Sequence, residues 1–134
     1  MKQSVVGIVR KDGRFLLGLR EPGGDVGGHW EFPGGKCEKG ETHEQALIRE
    51  YEEELAVQVS VGRFIAQKHF KNERRDFDLF AYEVIIDGSQ NCVSSVHSEL
   101  KWFSLDELQR ILMVPSDALF IAELRKFYNE PCRT

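Results

Sequence analysis

The chain has 134 residues, enough for one domain with its own core and too few for two. A hydrophobic share of 41%, a charged share of 30% and a formal net charge of −4 describe an ordinary soluble protein. They exclude a general electrostatic pull toward nucleic acid polymers or anionic membrane, so any bound phosphate must be met by local charge. No apolar run approaches the roughly 20 residues of a membrane span, and the N-terminus carries no signal-peptide pattern, so a cytoplasmic address is expected. Cys37, Cys92 and Cys132 show neither a CxxC pair nor a His-rich ligand spacing and are expected as reduced thiols.

Residues 4–10 and 15–20 are β-branched or apolar runs separated by Lys11, Asp12, Gly13 and Arg14, and an Asp-Gly pair between such runs predicts a hairpin. Residues 21–28 contain Pro22, Gly23, Gly24, Gly27 and Gly28, which predicts a loop, and Trp30 opens a brief strand ending at Gly34 and Gly35. Thr42 followed by Gln45 is a capping-box signature, so a helix is expected from about His43 to Leu55. Residues 57–70 alternate imperfectly and predict a strand bent near Gly62, followed by a charged turn over 71–75. Residues 76–86 alternate more cleanly, with Phe77, Leu79 and Ala81 on one face and Phe80, Tyr82, Val84 and Ile86 on the other. A polar loop over 87–95 leads to a short strand at 100–104, and Ser104 with Glu107 repeats the capping box. A last helix is expected to begin at Ser116, after Pro115, and to carry Leu119, Phe120, Leu124 and Phe127 against the core. Interleaved strands and helices, hairpin first, predict an α/β sandwich with a mixed sheet.

On the helix over 43–55, at about 100° per residue, Leu47, Ile48, Tyr51 and Leu55 form an apolar stripe. Glu50, Glu53 and Glu54 cluster on a neighbouring face expected to look outward. Like charges at these spacings repel by roughly 0.2–0.5 kcal/mol per pair, which works against the helix unless a cation sits over them. A hard divalent ion such as magnesium takes oxygen ligands from one or two carboxylates together with substrate phosphates. A Gly-rich turn beside it lets backbone come close to metal and phosphate. The same three carboxylates also suit a solvated surface, since runs of charge are usually exposed.

The spacing separates these readings, because the stretch from Gly35 resembles the Nudix box: G, five residues, E, seven residues, R-E-U, one residue, E-E, one residue, G-U, with U bulky and apolar. Gly35, Glu41, Arg49, Glu50, Glu53, Glu54 and Val57 all match at the required spacing. Tyr51 fills the first apolar slot, and Ala56 replaces the last glycine at the helix end, where a left-handed cap suits Gly better. The resemblance implies the Nudix α/β/α sandwich over residues 1–134, with a mixed central sheet and the box as its catalytic loop-helix. Trp30-Glu31-Phe32-Pro33-Gly34-Gly35-Lys36 joined to the box is similar to the MutT-like nucleoside triphosphate pyrophosphohydrolases, which release nucleoside monophosphate and pyrophosphate. The implied substrates are 8-oxo-dGTP or dGTP, or CTP or dCTP. Other Nudix proteins hydrolyse ADP-ribose and nucleotide sugars, and some sense nucleotides without cleaving them. The small size and the Trp30 to Lys36 signature argue for the triphosphate, and the nearly complete box argues against a sensor.

By the same resemblance the metal ligands are the Gly34 carbonyl, Glu50, Glu53 and Glu54, holding Mg2+ or alternatively Mn2+. Arg49 orients these carboxylates or simply pairs with Glu53 one turn on. Glu41 is a further catalytic candidate, for direct contact with the metal or the base chemistry, although it precedes the helix N-terminus, where the dipole favours an acid in any case. The general base is either Glu50 or Glu99; Glu99 lies three residues before Trp102, and Val96 stands where a common form of that segment has a second acid. Arg20 and Arg75 match substrate-facing arginines, and Glu31, Phe32 and Gly35 belong to the substrate loop. Phe32 or Tyr82 would stack on the base and Asp117 would meet its edge, although Asp also suits a first helical turn after a Ser cap. The expected partner is a nucleotide, with neither a nucleic acid polymer nor a membrane, and the chain is expected as a monomer or homodimer.

Overall fold

In the computed structural model, which describes residues 2–88 and 90–130, strands come first: β1 (Lys2–Ile8), β2 (Arg10–Lys11), β3 (Arg14–Arg20), β4 (Trp30–Glu31) and β5 (Gly34–Lys36). Helix α1 (His43–Leu55) follows, then β6 (Val59–Lys71), β7 (Asp76–Ile86), β8 (His97–Phe103), α2 (Leu105–Leu108), α3 (Pro115–Ala118) and α4 (Ile121–Phe127). Asp12 and Gly13 both take positive φ, as their turn requires, but the hairpin they close is shorter than expected: β2 pairs β3 only through Arg10 with Phe15 and Lys11 with Arg14. β1 departs into a different sheet. Its Val5 and its Val6 and Ile8 enter two separate cores, and a strand apolar on both faces needs a layer on each side, which a two-stranded ribbon cannot supply.

The first sheet has the order β5-β1-β7-β6 and is mixed, with β1 parallel to β7 and the other pairs antiparallel. β6 carries register irregularities between Val61, Phe64 and Ala66, where the bend near Gly62 was expected. The second sheet is antiparallel: β8 runs along β3 from Phe15 to Arg20, and β2 and β4 pair successive parts of β3. α1 packs Ala46, Leu47, Tyr51 and Leu55 on Val5, Leu16, Val57, Val59 and Val84. The opposite core joins Leu105, Leu108, Phe120 and Leu124 to Val6, Ile8, Phe15, Leu17, Leu79 and Ala81. β7 serves both, its two faces divided as the alternation predicts. Helices on either side of a mixed sheet give the expected α/β/α layering, and each wholly buried leucine contributes roughly 1.5–3 kcal/mol to it.

Three expectations need correction. Ile48 is 37% exposed while Glu54 is only 9% exposed. Seven positions on from Leu47, Glu54 returns to within about 20° of it, in the middle of the buried arc, and Ile48 lies about 100° away at the margin. The last helix is two pieces, α3 starting at Pro115 behind Val114 with no side-chain cap, so Ser116 is not the cap and Leu119 faces outward. β8 starts at His97, ahead of the expected strand. Cys37 and Cys92 are free thiols, and Cys132 lies outside the described residues. Among the described residues no helix is long and apolar enough to cross a membrane.

Candidate active site

The loop ahead of α1 is set by two close approaches. A Cβ on Gly34 would fall 2.1 Å from the Val5 carbonyl oxygen, so only glycine lets β5 lie against the β1 backbone there, and one on Gly35 would fall 2.5 Å from the Glu50 carboxyl carbon and displace that carboxylate. Thr42 then starts α1 through the full capping box: its hydroxyl accepts from Gln45 N at 3.1 Å and its own N–H donates to Gln45 Oε1 at 2.9 Å. Tyr51, in the apolar slot of the box, is fully buried and donates its hydroxyl to the Gly7 carbonyl at 3.0 Å, so its one polar atom is satisfied.

Arg49 gathers the acids around it. Its Nε and Nη2 grip Glu41 Oε2 and Oε1 at 2.6 and 2.9 Å, Nη1 donates to Glu50 Oε1 at 2.7 Å and Glu53 Oε2 at 3.2 Å, and Nη2 also donates to the Lys36 carbonyl. The Arg49 hydrogen bonds hold the Glu41 carboxyl down at about 2, and the same contacts raise the guanidinium above its usual value. Both Arg49 readings therefore hold at once: the pair with Glu53 exists, within a fork that also orients Glu41 and Glu50.

Glu50, Glu53 and Glu54 line one wall of a cleft of about 470 Å³, and Arg20, Glu31, Val96 and the loop residues Glu21, Pro22 and Gly23 form the rest. Glu54 is pushed up to about 8, first by burial and then by Glu50 and Glu31, with the Gly34 amide opposing. Its Oε2 is buried with no hydrogen-bond partner. Glu53 is exposed, its side chain 60% accessible. Among the described residues no three such side chains already converge on one point. Even so, an unpartnered carboxylate oxygen beside Glu50, Glu53 and Glu31 makes an oxygen donor set, and it fits a hard divalent cation.

Arg20 Nη1 lies 3.2 Å from Glu31 Oε1. Asp117 is nearly fully buried where the chain crosses from β4 to β5, because residues 112–114 pair with Trp30 and bring α3 alongside. There Asp117 Oδ2 accepts the Phe32 N–H at 2.9 Å and Oδ1 accepts the Ser116 hydroxyl at 3.3 Å. Burial, then Glu31, pushes Asp117 up to about 7, against the pull of the Phe32 amide, the Ser116 hydroxyl and Arg20. Phe32 buries its ring in the core on the α4 side.

Tyr82, Arg75 and Glu99 are not brought to this cleft, and Phe32 and Asp117, 2% and 5% exposed, are buried off its lining, so the Phe32 ring packs in the core and is not presented to stack on a base. Tyr82 sits on the opposite face of the mixed sheet from the Phe32 core, against His43 and Phe64, so the two rings do not share a pocket. Arg75 lies in the exposed β6–β7 turn, where its neighbour Arg74 reaches Asp25 of the glycine-rich loop at 2.8 Å. Glu99 pairs with Leu19, and cross-strand partners share a face, which puts it on the side away from Gly18, Glu31 and Arg20. Conversely, two residues with no assigned role in the sequence come into play, His97 and Ser94: His97 Nε2 lies 2.8 Å from Glu31 Oε2, and its Nδ1 lies 3.2 Å from Ser94 Oγ. The available signal was Gly18, a glycine within a run of large apolar residues, which marks a close approach.

Residues 1–124 match the NUDIX domain. The chain is 35% identical over 117 residues to a CTP pyrophosphohydrolase of Escherichia coli, covering 87% of this chain and 86% of that one. It is 33% identical over 128 residues to a putative 8-oxo-dGTP diphosphatase 2 of Mycobacterium tuberculosis, covering 93% and 89%. The solution structure of the E. coli ORF135 protein superposes with a TM-score of 0.85 at 30% identity, over 99% of this chain and 95% of that one. A MutT protein from Methanosarcina mazei, at 24% identity and a TM-score of 0.80 over 97% and 96%, shares the fold. The box residues thus stand on the loop and helix that their spacing predicts, within a domain matched over nearly its whole length, and the chain belongs to the Nudix hydrolase family.

Proposed function

We propose that this chain hydrolyses nucleoside triphosphates to nucleoside monophosphate and pyrophosphate with Mg2+, acting in the cytoplasm on guanine nucleotides, 8-oxo-dGTP included, or on cytosine nucleotides. The observation that carries the reading is that Glu50, Glu53 and Glu54 line one cleft of about 470 Å³ together with Arg20 and Glu31. That volume lies within the roughly 300–1,000 Å³ of ordinary small-molecule sites. Two relatives that cover most of the chain carry the names CTP pyrophosphohydrolase and putative 8-oxo-dGTP diphosphatase 2, which supports this substrate class.

In this reading a water adds to phosphorus, the bond between the α and β phosphoryl groups breaks, and pyrophosphate or its counterpart leaves with the electron pair. Nudix hydrolases generally use a divalent metal, and Mg2+ held by Glu50, Glu53, Glu54 and the Gly34 carbonyl would neutralise the polyphosphate and help ionise the attacking water. Arg49 keeps Glu50 and Glu53 from swinging away, and Arg20 supplies positive charge across the cleft. Of the two general-base candidates, Glu50 lines the cleft and Glu99 faces away, which supports Glu50 as the group that accepts the proton. Glu31, on the cleft lining, offers acceptor oxygens suited to a base edge rich in N–H donors, as on guanine and cytosine, and the family resemblance assigns the same role to Asp117, whose oxygens here hold the Phe32 N–H and the Ser116 hydroxyl. The test is release of pyrophosphate against phosphate across a panel of nucleoside triphosphates and ADP-ribose, with magnesium and with chelator. Pyrophosphate release confined to guanine or cytosine triphosphates and abolished by chelator is expected; cleavage of ADP-ribose alone overturns the substrate class.

A further inference from the structure

His97 has a fully buried side chain, lies in the second sheet, and takes no part in the chemistry described above. Its placement rests on two local departures from regular structure. Where β8 runs beside β3, Leu19 faces Glu99 and Arg20 faces His97, so Ser98 is an extra residue in the ladder. A bulge of this kind reverses the face on which the following side chains emerge. Without it Ser98 would oppose Arg20 and His97 would point to the far side with Glu99. With it, His97 shares a face with Arg20, Gly18 and Glu31.

The second departure is Gly18 itself. Glu31 on β4 and His97 on β8 flank β3 from opposite edges, and strands lie about 4.8 Å apart, so the two residues stand two strand spacings from each other. The imidazole spans that gap by lying over Gly18, where a Cβ would meet the ring at 2.5 Å. It then reaches Glu31 Oε2 at 2.8 Å.

The proton on the ring is assigned by Ser94. Its Oγ accepts the backbone N–H of His97 at 2.8 Å and of Val96 at 3.3 Å, which uses both hydroxyl lone pairs. The Ser94 hydrogen is then left for His97 Nδ1, 3.2 Å away, so Nδ1 accepts and Nε2 carries the hydrogen that is donated to Glu31. We propose that Ser94 and His97 form a positioning relay that fixes one oxygen of Glu31 from the rear of the cleft, so that its other oxygen and Arg20 are presented to the substrate in a set orientation. The inference rests on the nucleotide reading for what Glu31 meets and on the hydrogen-bond geometry alone for the relay itself.

Two measurements test it. Nitrogen-15 spectra of the free protein with labelled histidine, which need no substrate, should show His97 as the Nε2–H tautomer, and Ser94→Ala should mix the tautomers. An Nδ1–H tautomer in the wild type, or an unchanged spectrum in Ser94→Ala, overturns the relay. On the best nucleotide, His97→Phe should lower kcat/KM on the order of tenfold, as for a carboxylate that loses one buried partner, with the larger change in KM. His97→Gln, whose amide can stand where Nε2–H stood, should recover most of that loss, and His97→Phe should add nothing in a Glu31→Gln background. Variants are compared well below their own melting temperatures. Full activity in His97→Phe, no rescue by Gln, or additive losses with Glu31→Gln overturns it. Should the wild type cleave no nucleotide, the proposed function falls while the tautomer still decides the relay.

Discussion

Glu54 combines an unpartnered buried oxygen with two acidic neighbours, a state that favours its protonated form while no cation shares the site. Replacing it with glutamine should remove the repulsion but also the negative oxygen that a cation would need. Turnover of Glu54→Gln is expected to fall on the order of 10²-fold or more with the fold intact, as for one preorganised electrostatic element. Steady-state rates beside circular dichroism check this, and near-wild-type turnover would remove Glu54 from the site. Asp117 carries a separate prediction. It rises from 3.8 to about 7 on folding, so between those values the folded chain binds more protons than the unfolded one. The stability from this group is therefore greatest below about pH 4 and declines as pH climbs toward 7, by an amount of a few kcal/mol in order of magnitude. Asp117→Asn can keep an acceptor for Phe32 N–H but cannot ionise, so its melting temperature should decline less than the wild type's between pH 5 and pH 8. Equal declines would show that Asp117 does not titrate in the fold. In base selection Asn sets a donor beside the substrate's donors. The ratio of guanine or cytosine to uracil substrates should drop roughly 5- to 150-fold, the range that one mismatched buried pair commands.

At the scale of the element, α1 ends in an unusual way. Ala56 takes the left-handed conformation, φ 54° and ψ 39°, and its N–H donates to Glu52 O. A non-glycine residue there costs roughly 1–2 kcal/mol. The loop before β8 offsets part of this: Val93 N and Ser95 N bond the Leu55 and Glu54 carbonyls, and Ser95 Oγ bonds that of Glu53. Ala56→Gly is expected to stabilise the protein by about 1 kcal/mol with activity unchanged, read from denaturant unfolding. Local signals of this sort were legible in the sequence. Both capping boxes, the faces of β7 and the helix that carries the acidic box needed only neighbours two to eight residues away, and each formed where expected. What escaped depended on distant partners. Glu54 appeared outward because its charge outweighed its helical angle, and His97 appeared ordinary because its significance comes from Glu31, 66 residues away, and from a bulge that no pattern announces.

Across the whole molecule, the departure of β1 from its hairpin was illegible for the same reason, since the strand that claims it lies beyond α1 and β6. Removing its two-sided apolar contacts should be costly: Val5→Ala and Ile8→Ala are each expected to destabilise the fold by about 1–4 kcal/mol, measurable by thermal or chemical unfolding, because each leaves a buried cavity. The register has a consequence for biosynthesis. Lys2 pairs with Phe77 and Ile8 with Glu83, so this early strand waits for its parallel partner while some 75 residues are made, about 4 to 15 seconds at ordinary translation speed. A nascent chain arrested at residue 75 should be cut readily by protease, whereas the full chain resists. During that interval a strand apolar on both sides hangs from the ribosome with no β7 to join, which is the window in which a chaperone or another nascent chain can claim it.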